Sequence, residues 1–261
     1  MKFNKNSGYY LYGGLILTVL YFPLLAVGIA SVAKKRYFSF PVDQFTTQWY
    51  AKALESGTVS DLVATSLAVA ALVTVVSVLV GFFGGLAYAR YTWKGRRLFQ
   101  KLVVLPLFFP QSVLGLALLL WFNALGIEPS WHTAVVAHLV WISPITTLIV
   151  AIQSYSIDPS MEEAAKDLGA TRWQTLTKIT LPLLWPAISS AGLFAFLLSW
   201  GNFALSMFTT GADSTLPEWL YAKMVSGYTP LIPAVGMFAM AGGMALVVLA
   251  FAVRALRRGR A

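Results

Sequence analysis

The sequence predicts an all-α integral membrane protein with six transmembrane helices, and three observations carry that prediction. The first is composition: AVILMFWYC residues fill 58% of 261 positions, and counting Gly in place of Tyr puts the apolar share at about 61%, against about 45–50% in soluble domains. The second is charge: Asp, Glu, Lys and Arg together make up only 11%, where soluble chains carry about 25%, and the mean hydropathy is +0.71. The third is pattern: six stretches stay apolar for about 20 residues, the length a helix needs to cross about 30 Å of hydrocarbon. Together these exclude disordered, collagenous and disulfide-rich secreted classes. The chain has no cysteine and two histidines, His132 and His138, so no metal site is expected. A net charge of +9 would suggest nucleic acid in a soluble protein; in a membrane protein what matters is where the charges lie, and no nucleic-acid partner is expected.

Residues 9–33 form the first predicted span. Lys2 and Lys5 precede it and Ser31-Val32-Ala33 close it, which imitates a cleaved signal, but about 25 apolar residues exceed the roughly 7–15 of a signal core, so it reads as a span. An outer segment over 34–61 follows, long enough for a short surface helix at 49–54. The second span covers 62–89, and the third, over 102–125, follows a loop rich in Arg and Lys. The fourth covers 132–156. A long inner loop, 157–181, leads to the fifth span, 182–210. A second outer segment, with a short helix at 219–224, precedes the sixth span at 231–253. No linker or repeat divides the chain, so residues 1–261 read as one transmembrane domain.

Orientation follows from the basic residues. With both termini cytoplasmic, fourteen of the 19 fall inside: Lys2 and Lys5, Arg90 to Lys101, Lys166, Arg172, Lys178, and Arg254 to Arg260. That bias sets the N and C termini in the cytoplasm. The cluster Lys34, Lys35 and Arg36 is the exception, placed at the outer headgroups. Tyr9, Tyr10, Trp49, Tyr91, Trp93, Trp131 and Trp219 sit near span ends as an interfacial belt against the lipid bilayer.

No Asp, Glu, Lys or Arg falls in the middle of a span. Proton and sodium relays need such groups, so a proton-driven pump is disfavoured. A neutral path has few polar residues to draw on: Gln111 and Ser112 in the third span, His138 in the fourth, and Ser199, Trp200, Asn202 and Ser206 in the fifth. Pro106, Pro110, Pro144 and Pro186 each free a backbone carbonyl, and Gly201 loosens the fifth helix, so kinks can expose backbone to a cavity. An interhelical hydrogen bond is the commoner use of any one such side chain.

The inner loop reads as two short helices with a break at Gly169. Ser160 and Glu163 have capping-box spacing, Pro159 suits a helix start, and Gly169 suits a left-handed stop. Met161, Ala164, Ala165 and Leu168 fall on one stripe bordered by Glu162, Glu163, Lys166 and Asp167. A two-turn helix is marginal alone. Such an element either docks in a groove on another protein or lies against the inner leaflet or its own bundle, and the physics of the stripe leaves both open.

Glu163-Ala164-Ala165, three residues, Gly169, nine residues, Ile179, one residue, Leu181-Pro182 resembles, in every fixed position, the signature loop of permease subunits of binding-protein-dependent ABC importers. Seven fixed positions match by chance with a probability on the order of one in 10⁵ or less. The outer segment with Phe45 and Trp49-Tyr50, together with Leu198-Ser199-Trp200 and Phe208-Thr209-Thr210-Gly211, resembles the polyamine and opine branch, the spermidine/putrescine permease-like group, and its second permease subunit in particular.

The resemblance implies the type I importer permease fold and a loop that acts as a coupling helix in a cleft of a separate ATPase. Glu163, Ala164, Ala165 and Gly169 would form the docking element, with Glu162, Asp167, Thr171 and Arg172 at its margins. The implied partners are a second homologous permease, two ATPase subunits and a periplasmic binding protein. The chain has no phosphate-binding Gly-x-x-x-x-Gly-Lys run, so it is expected to be no enzyme and to bind no cofactor, with ATP and Mg on the ATPase.

Polyamine permeases of that branch carry acidic residues where this chain has Gln111 and Gly201-Asn202. A polycation in a low-dielectric passage without carboxylates is uncompensated. The neutral lining suits a zwitterionic ω-amino acid such as γ-aminobutyrate or 5-aminovalerate, or an opine, unless the partner permease supplies acids to carry a polyamine. The rival readings are an ATP-independent secondary transporter or channel, and a membrane scaffold that transports nothing.

Overall fold

The structure, a computed structural model, describes residues 7–35 and 41–258, with side chains over 8–35 and 41–252. Lys2, Lys5, Arg36 and Arg260 therefore lie outside the described residues, and Arg254, Arg257 and Arg258 are described in backbone only. Among the described residues the chain is helical, with one isolated antiparallel bridge between Ala33 and Phe45. In order it forms α1 (Ser7–Ser31), α2 (Gln48–Glu55), α3 (Gly57–Ala89), α4 (Arg96–Val104) with a 3₁₀ turn (Leu105–Phe108), α5 (Gln111–Ala124) and α6 (Trp131–Ser156). It continues with α7 (Ser160–Asp167), α8 (Arg172–Thr175), a π turn (Leu176–Thr180), α9 (Leu181–Trp200), α10 (Ser206–Thr209), α11 (Leu216–Ser226) and α12 (Leu231–Arg258). The surface helices expected at 49–54 and 219–224 are α2 and α11.

Among the described residues five helical runs are long and apolar enough to cross a membrane, and a sixth is counted only if one broken pair is a single span. That pair is the predicted third span. Instead of one helix over 102–125, Arg96–Phe108 and Gln111–Ala124 meet at a bend of 105°. Pro110 supplies the cause, because its ring bars the helical region to the preceding residue, and Phe109 is extended at φ −85°, ψ 135°.

The predicted fifth span is displaced along the chain. Helix begins at Arg172 and stops at Trp200, rather than running over 182–210, so the second of the two expected loop helices is the foot of this run. Pro182 has no N–H to give to the Lys178 carbonyl; the backbone absorbs the loss by widening, and the Leu181 N–H reaches back five residues to the Leu176 carbonyl. At the other end Gly201 closes the helix, and the Asn202 side-chain oxygen accepts the Leu205 N–H at 3.0 Å.

The chain forms two compact units, one of residues up to Asp61 with Trp219–Leu246, the other of Leu62–Glu218 with the chain from Val247. In the first, α1 is apolar on all sides and almost wholly exposed, as a helix facing hydrocarbon is. Its end is tied down locally: Trp49 Nε1 donates to the Ala33 carbonyl at 2.9 Å, Ser31 Oγ and Tyr50 Oη lie 2.6 Å apart, and Lys35 pairs with Asp43.

In the second unit α6 is the central helix. Val73, Ile142 and Ala195 from α3, α6 and α9 share one apolar cluster, and Leu86, Val150 and Leu184 from the same three share another. Glycine lets α3 and α6 approach: a Cβ at Gly81 would lie 2.6 Å from Thr146 Oγ1, and one at Gly85 would lie 2.7 Å from Val150 Cγ1. Small residues at such crossings are what lets membrane helices gain packing contact. Thr146 Oγ1 adds a bond to the Ser77 carbonyl at 2.8 Å.

Candidate functional site

Two places in the second unit gather the residues that the sequence singles out. At the first, α7 is built by local chemistry at both ends. Its start differs from the expected capping box: Pro159, not Ser160, is the N-cap residue, and the cap is supplied by Asp158, whose Oδ1 accepts the Ser160 N–H at 2.9 Å. Bonding to Ser160 holds the Asp158 carboxyl below its ordinary value. Asp158 wins because it precedes the proline, where an extended backbone lets a short carboxylate reach forward two residues. The reciprocal box occurs one helix later, where Thr171 Oγ1 accepts from Gln174 N and Gln174 Oε1 accepts from Thr171 N.

The end of α7 is as expected. Gly169 has φ +83°, its N–H bonds the Lys166 carbonyl, and the Ala170 N–H bonds the Ala165 carbonyl at 3.0 Å. That pair of bonds is a Schellman stop.

The expected stripe is only partly buried within the chain. Ala165 faces inward, whereas Met161, Glu163, Ala164, Asp167 and Leu168 are exposed, Leu168 by 89%. Thr171, Arg172 and Trp173 continue this exposed surface into α8. Glu162 departs from its place at the margin. It turns inward, where Oε1 accepts from Arg90 Nη2 at 3.0 Å and from Thr180 Oγ1 at 2.9 Å. Arg90 also donates from Nη1 to the Ile157 carbonyl at 3.1 Å. Neither Arg90 nor Thr180 belongs to a motif; the available signal is that Arg90 is the first charge after a long apolar span.

The second place lies at the helix breaks in mid-chain. Gln111 opens α5 just after the bend, Asn202 lies just past the end of α9, and Asn202 Nδ2 donates to Gln111 Oε1 at 3.3 Å. Discontinuous helices that meet in this way put polar groups and freed backbone where a path can run. His138, Ser199 and Ser206 form a different group. His138 is fully buried, with Nδ1 2.8 Å from Ser199 Oγ and Nε2 3.1 Å from Ser206 Oγ. Ser206 gives its own hydrogen to the Asn202 carbonyl at 2.9 Å, so it must accept from His138, which puts the imidazole hydrogen on Nε2 and leaves Nδ1 to accept from Ser199. Every polar atom of the ring is thereby used inside the protein, and this trio is a clamp between α6, α9 and α10. Trp200 is half-buried and stacked on Phe196, and Ser112 is exposed.

Just beyond, a group that the sequence did not mark fastens the connection from α10 to α11. Glu218 Oε2 accepts from Thr210 Oγ1 at 2.7 Å and from the Thr215 N–H at 3.3 Å, and Asp213 Oδ2 accepts the Trp131 N–H. Burial pushes the Glu218 carboxyl above its ordinary value, against the opposing pull of those two bonds.

Residues 77–258 match the family described as binding-protein-dependent transport system inner membrane component. The spermidine/putrescine transport system permease protein PotC of Haemophilus influenzae is 28% identical over 236 residues, covering 90% of this chain and 91% of its own. The putrescine transport system permease protein PotI of Escherichia coli K12 is 30% identical over 225 residues, covering 83% and 80%. Among solved structures, a bacterial alginate ABC transporter in complex with a periplasmic protein bound to an alginate pentasaccharide aligns with TM-score 0.70 at 18% identity, over 93% of this chain and 92% of that one. The MetNI methionine ABC transporter aligns with TM-score 0.60 at 21% identity, over 78% and 98%. At those identities the likeness is one of fold.

Proposed function

The chain belongs to the family of binding-protein-dependent transport system inner membrane components, the multi-pass permeases of ABC importers, and from that membership we propose a coupling route and a solute class. It is a permease subunit and not an enzyme; in this family ATP hydrolysis lies on separate chains. We read it as one of two homologous permeases in a single transmembrane assembly of the bacterial inner membrane, with two ATPase subunits and a periplasmic binding protein. In this reading both termini are cytoplasmic, and each permease lines half of the path.

The observation that carries the coupling route is the exposed face of α7. A helix of only 8 residues is marginal in water, yet it is capped at both ends and presents Met161, Glu163, Ala164 and Leu168 outward. That shape suits a groove on the ATPase, with Glu163, Ala164 and Gly169 as the docking element and Asp167, Thr171 and Arg172 beside it, while Ala165, expected among the docking residues, packs inward and seats the helix on its own chain. Closure of the ATPases would pull α7 and switch the path between outward and inward access, while the binding protein delivers solute from outside. Glu163→Lys should abolish ATP-driven uptake in proteoliposomes with membrane insertion unchanged; normal uptake would remove α7 from the coupling route.

For the solute, the relatives named for spermidine and putrescine point to amino compounds, and the Gln111–Asn202 contact narrows the class. An amide pair offers hydrogen bonds without charge, so it favours a small amino-bearing solute whose own charges balance, such as an ω-amino acid or an opine, over a polycation. The test is ATPase stimulation of the complex in nanodiscs with its binding protein, across putrescine, spermidine, γ-aminobutyrate, 5-aminovalerate and an opine. Stimulation by the zwitterions supports the neutral path. Stimulation by polyamines alone overturns it and assigns charge compensation to the partner permease.

A further inference from the structure

One guanidinium and one carboxylate join the ends of α3 and α6, the first turn of α7 and the π turn before α9. Arg90 follows directly on α3, continuing it through its own N–H to the Leu86 carbonyl at 2.8 Å. Its side chain is 11% exposed and that of Glu162 is 21% exposed. Nη1 holds the Ile157 carbonyl, at the residue that caps α6, and Nη2 holds Glu162 in the first turn of α7. The same Glu162 oxygen then takes the hydroxyl of Thr180, in the π turn that leads into α9. Among the described residues the only other ion pair, Lys35 with Asp43, is in the other unit.

Adjacent glutamates thus face different ways. Consecutive residues of a helix are turned by about 100°, so Glu163 is exposed where a partner would sit while Glu162 points back into the chain. We propose that Arg90 is the positioning residue of coupling: its fork holds α7 to the ends of α3 and α6, so that a pull on α7 moves the spans instead of being absorbed in the turns around it. Without the fork, α7 keeps the Glu162–Thr180 bond and the packing of Ala165 but loses its tie to the ends of α3 and α6. Arginine is required because the two acceptors, a carbonyl and a carboxylate, are met by two nitrogens of one rigid plane, and a lysine ammonium has no such fork. On the α9 side the chain of bonds ends in the π turn through Thr180, a kind of turn that recurs at functional sites.

The inference rests on the docking role of α7 and is separable from it. Arg90→Gln, Arg90→Lys and Thr180→Val would be placed in the complete complex of both permeases, ATPases and binding protein in proteoliposomes. Three quantities are read: the ATPase that co-purifies, basal ATP hydrolysis, and solute imported per ATP hydrolysed. The expected result for Arg90→Gln is undiminished ATPase binding and basal hydrolysis with import per ATP lowered about 10-fold or more, within the usual span of coupling between sites. Arg90→Lys should fall between Arg90→Gln and the wild type, because it keeps a charge for Glu162 but loses the bond to Ile157. Thr180→Val should give a smaller loss of the same kind. Wild-type import per ATP in Arg90→Gln overturns the proposal, and so does a loss of import that merely follows a loss of bound ATPase. If Arg90→Gln does not insert, Arg90→Lys and Thr180→Val decide by the same ratio. A wild-type complex that binds no ATPase, or whose uptake is independent of ATP, would instead overturn the docking role itself.

Discussion

The root of α7 and the clamp around His138 solve one problem, holding helices together through polar groups, with opposite chemistry. At α7 the bond is ionic, partly open to water, and made by two residues 72 positions apart. At His138 it is neutral, fully enclosed, and made by two serines 61 and 68 positions away. The difference follows from the surroundings. A charge in the hydrocarbon layer is costly enough that charged side chains are retained there only for function, whereas next to the aqueous phase a charge pair is tolerable and directional. The neutral clamp has both ring nitrogens satisfied inside the protein, whereas the ionic tie leaves Arg90 Nε without a hydrogen-bond partner and ends on a short exposed helix. Disturbance at α7 should therefore cost transport, and disturbance at His138 should cost stability.

The largest expected effect is on the α7 side. Gly169 sits at φ +83° and donates its N–H to Lys166, and proline can supply neither that angle nor that hydrogen. Gly169→Pro should eliminate ATP-driven uptake, measured in proteoliposomes, while the thermal midpoint of the purified protein changes little. A fall in thermal midpoint as large as the one expected from damage to the clamp would erase the contrast.

What the sequence made legible divides along the same line. Gly169, the outward face of α7, the two surface helices and most spans follow from local signals: period, proline, glycine and the length of apolar runs. The break at Pro110 is legible in the sequence as a proline inside a span, but its 105° size is not. Glu162 shows the limit. The family resemblance places it on the docking margin, and Arg90, arriving from the end of α3, meets it where it turns inward. His138, Ser199 and Ser206 are each visible as polar residues in spans, but their pairing with one another is set by contacts distant in sequence.

A middle-sized effect tests the clamp. His138→Ala removes the acceptor of Ser199 and the donor to Ser206 and leaves an enclosed gap, a loss of about 3 kcal/mol by the cost of unmade buried bonds. Ser199→Ala, which removes one bond, should cost about 1 kcal/mol. Unfolding in mixed micelles would measure both, and transport per folded molecule should stay near wild type. Loss of transport at unchanged stability would return His138 to the path.

The smallest effect sharpens the comparison, because Glu218 is a carboxylate with donors but no ion pair among the described residues. Glu162 shares its site with a guanidinium; Glu218 is surrounded by Thr210, Thr215 and partial burial, which raises its carboxyl above the ordinary 4.5. A carboxyl raised in the folded state binds its proton more tightly there than in the unfolded chain. Its contribution is therefore fully present below the ordinary value and is lost as pH climbs through the raised folded value. The thermal midpoint should fall slightly over that window in the wild type, and Glu218→Gln, which keeps an acceptor and carries no charge at any pH, should flatten the slope. A slope that persists in Glu218→Gln would assign the dependence to another group. A reversed slope would mean that the hydroxyl and amide donors outweigh burial, so that two hydrogen bonds suffice to hold this carboxylate ionised without an ion pair.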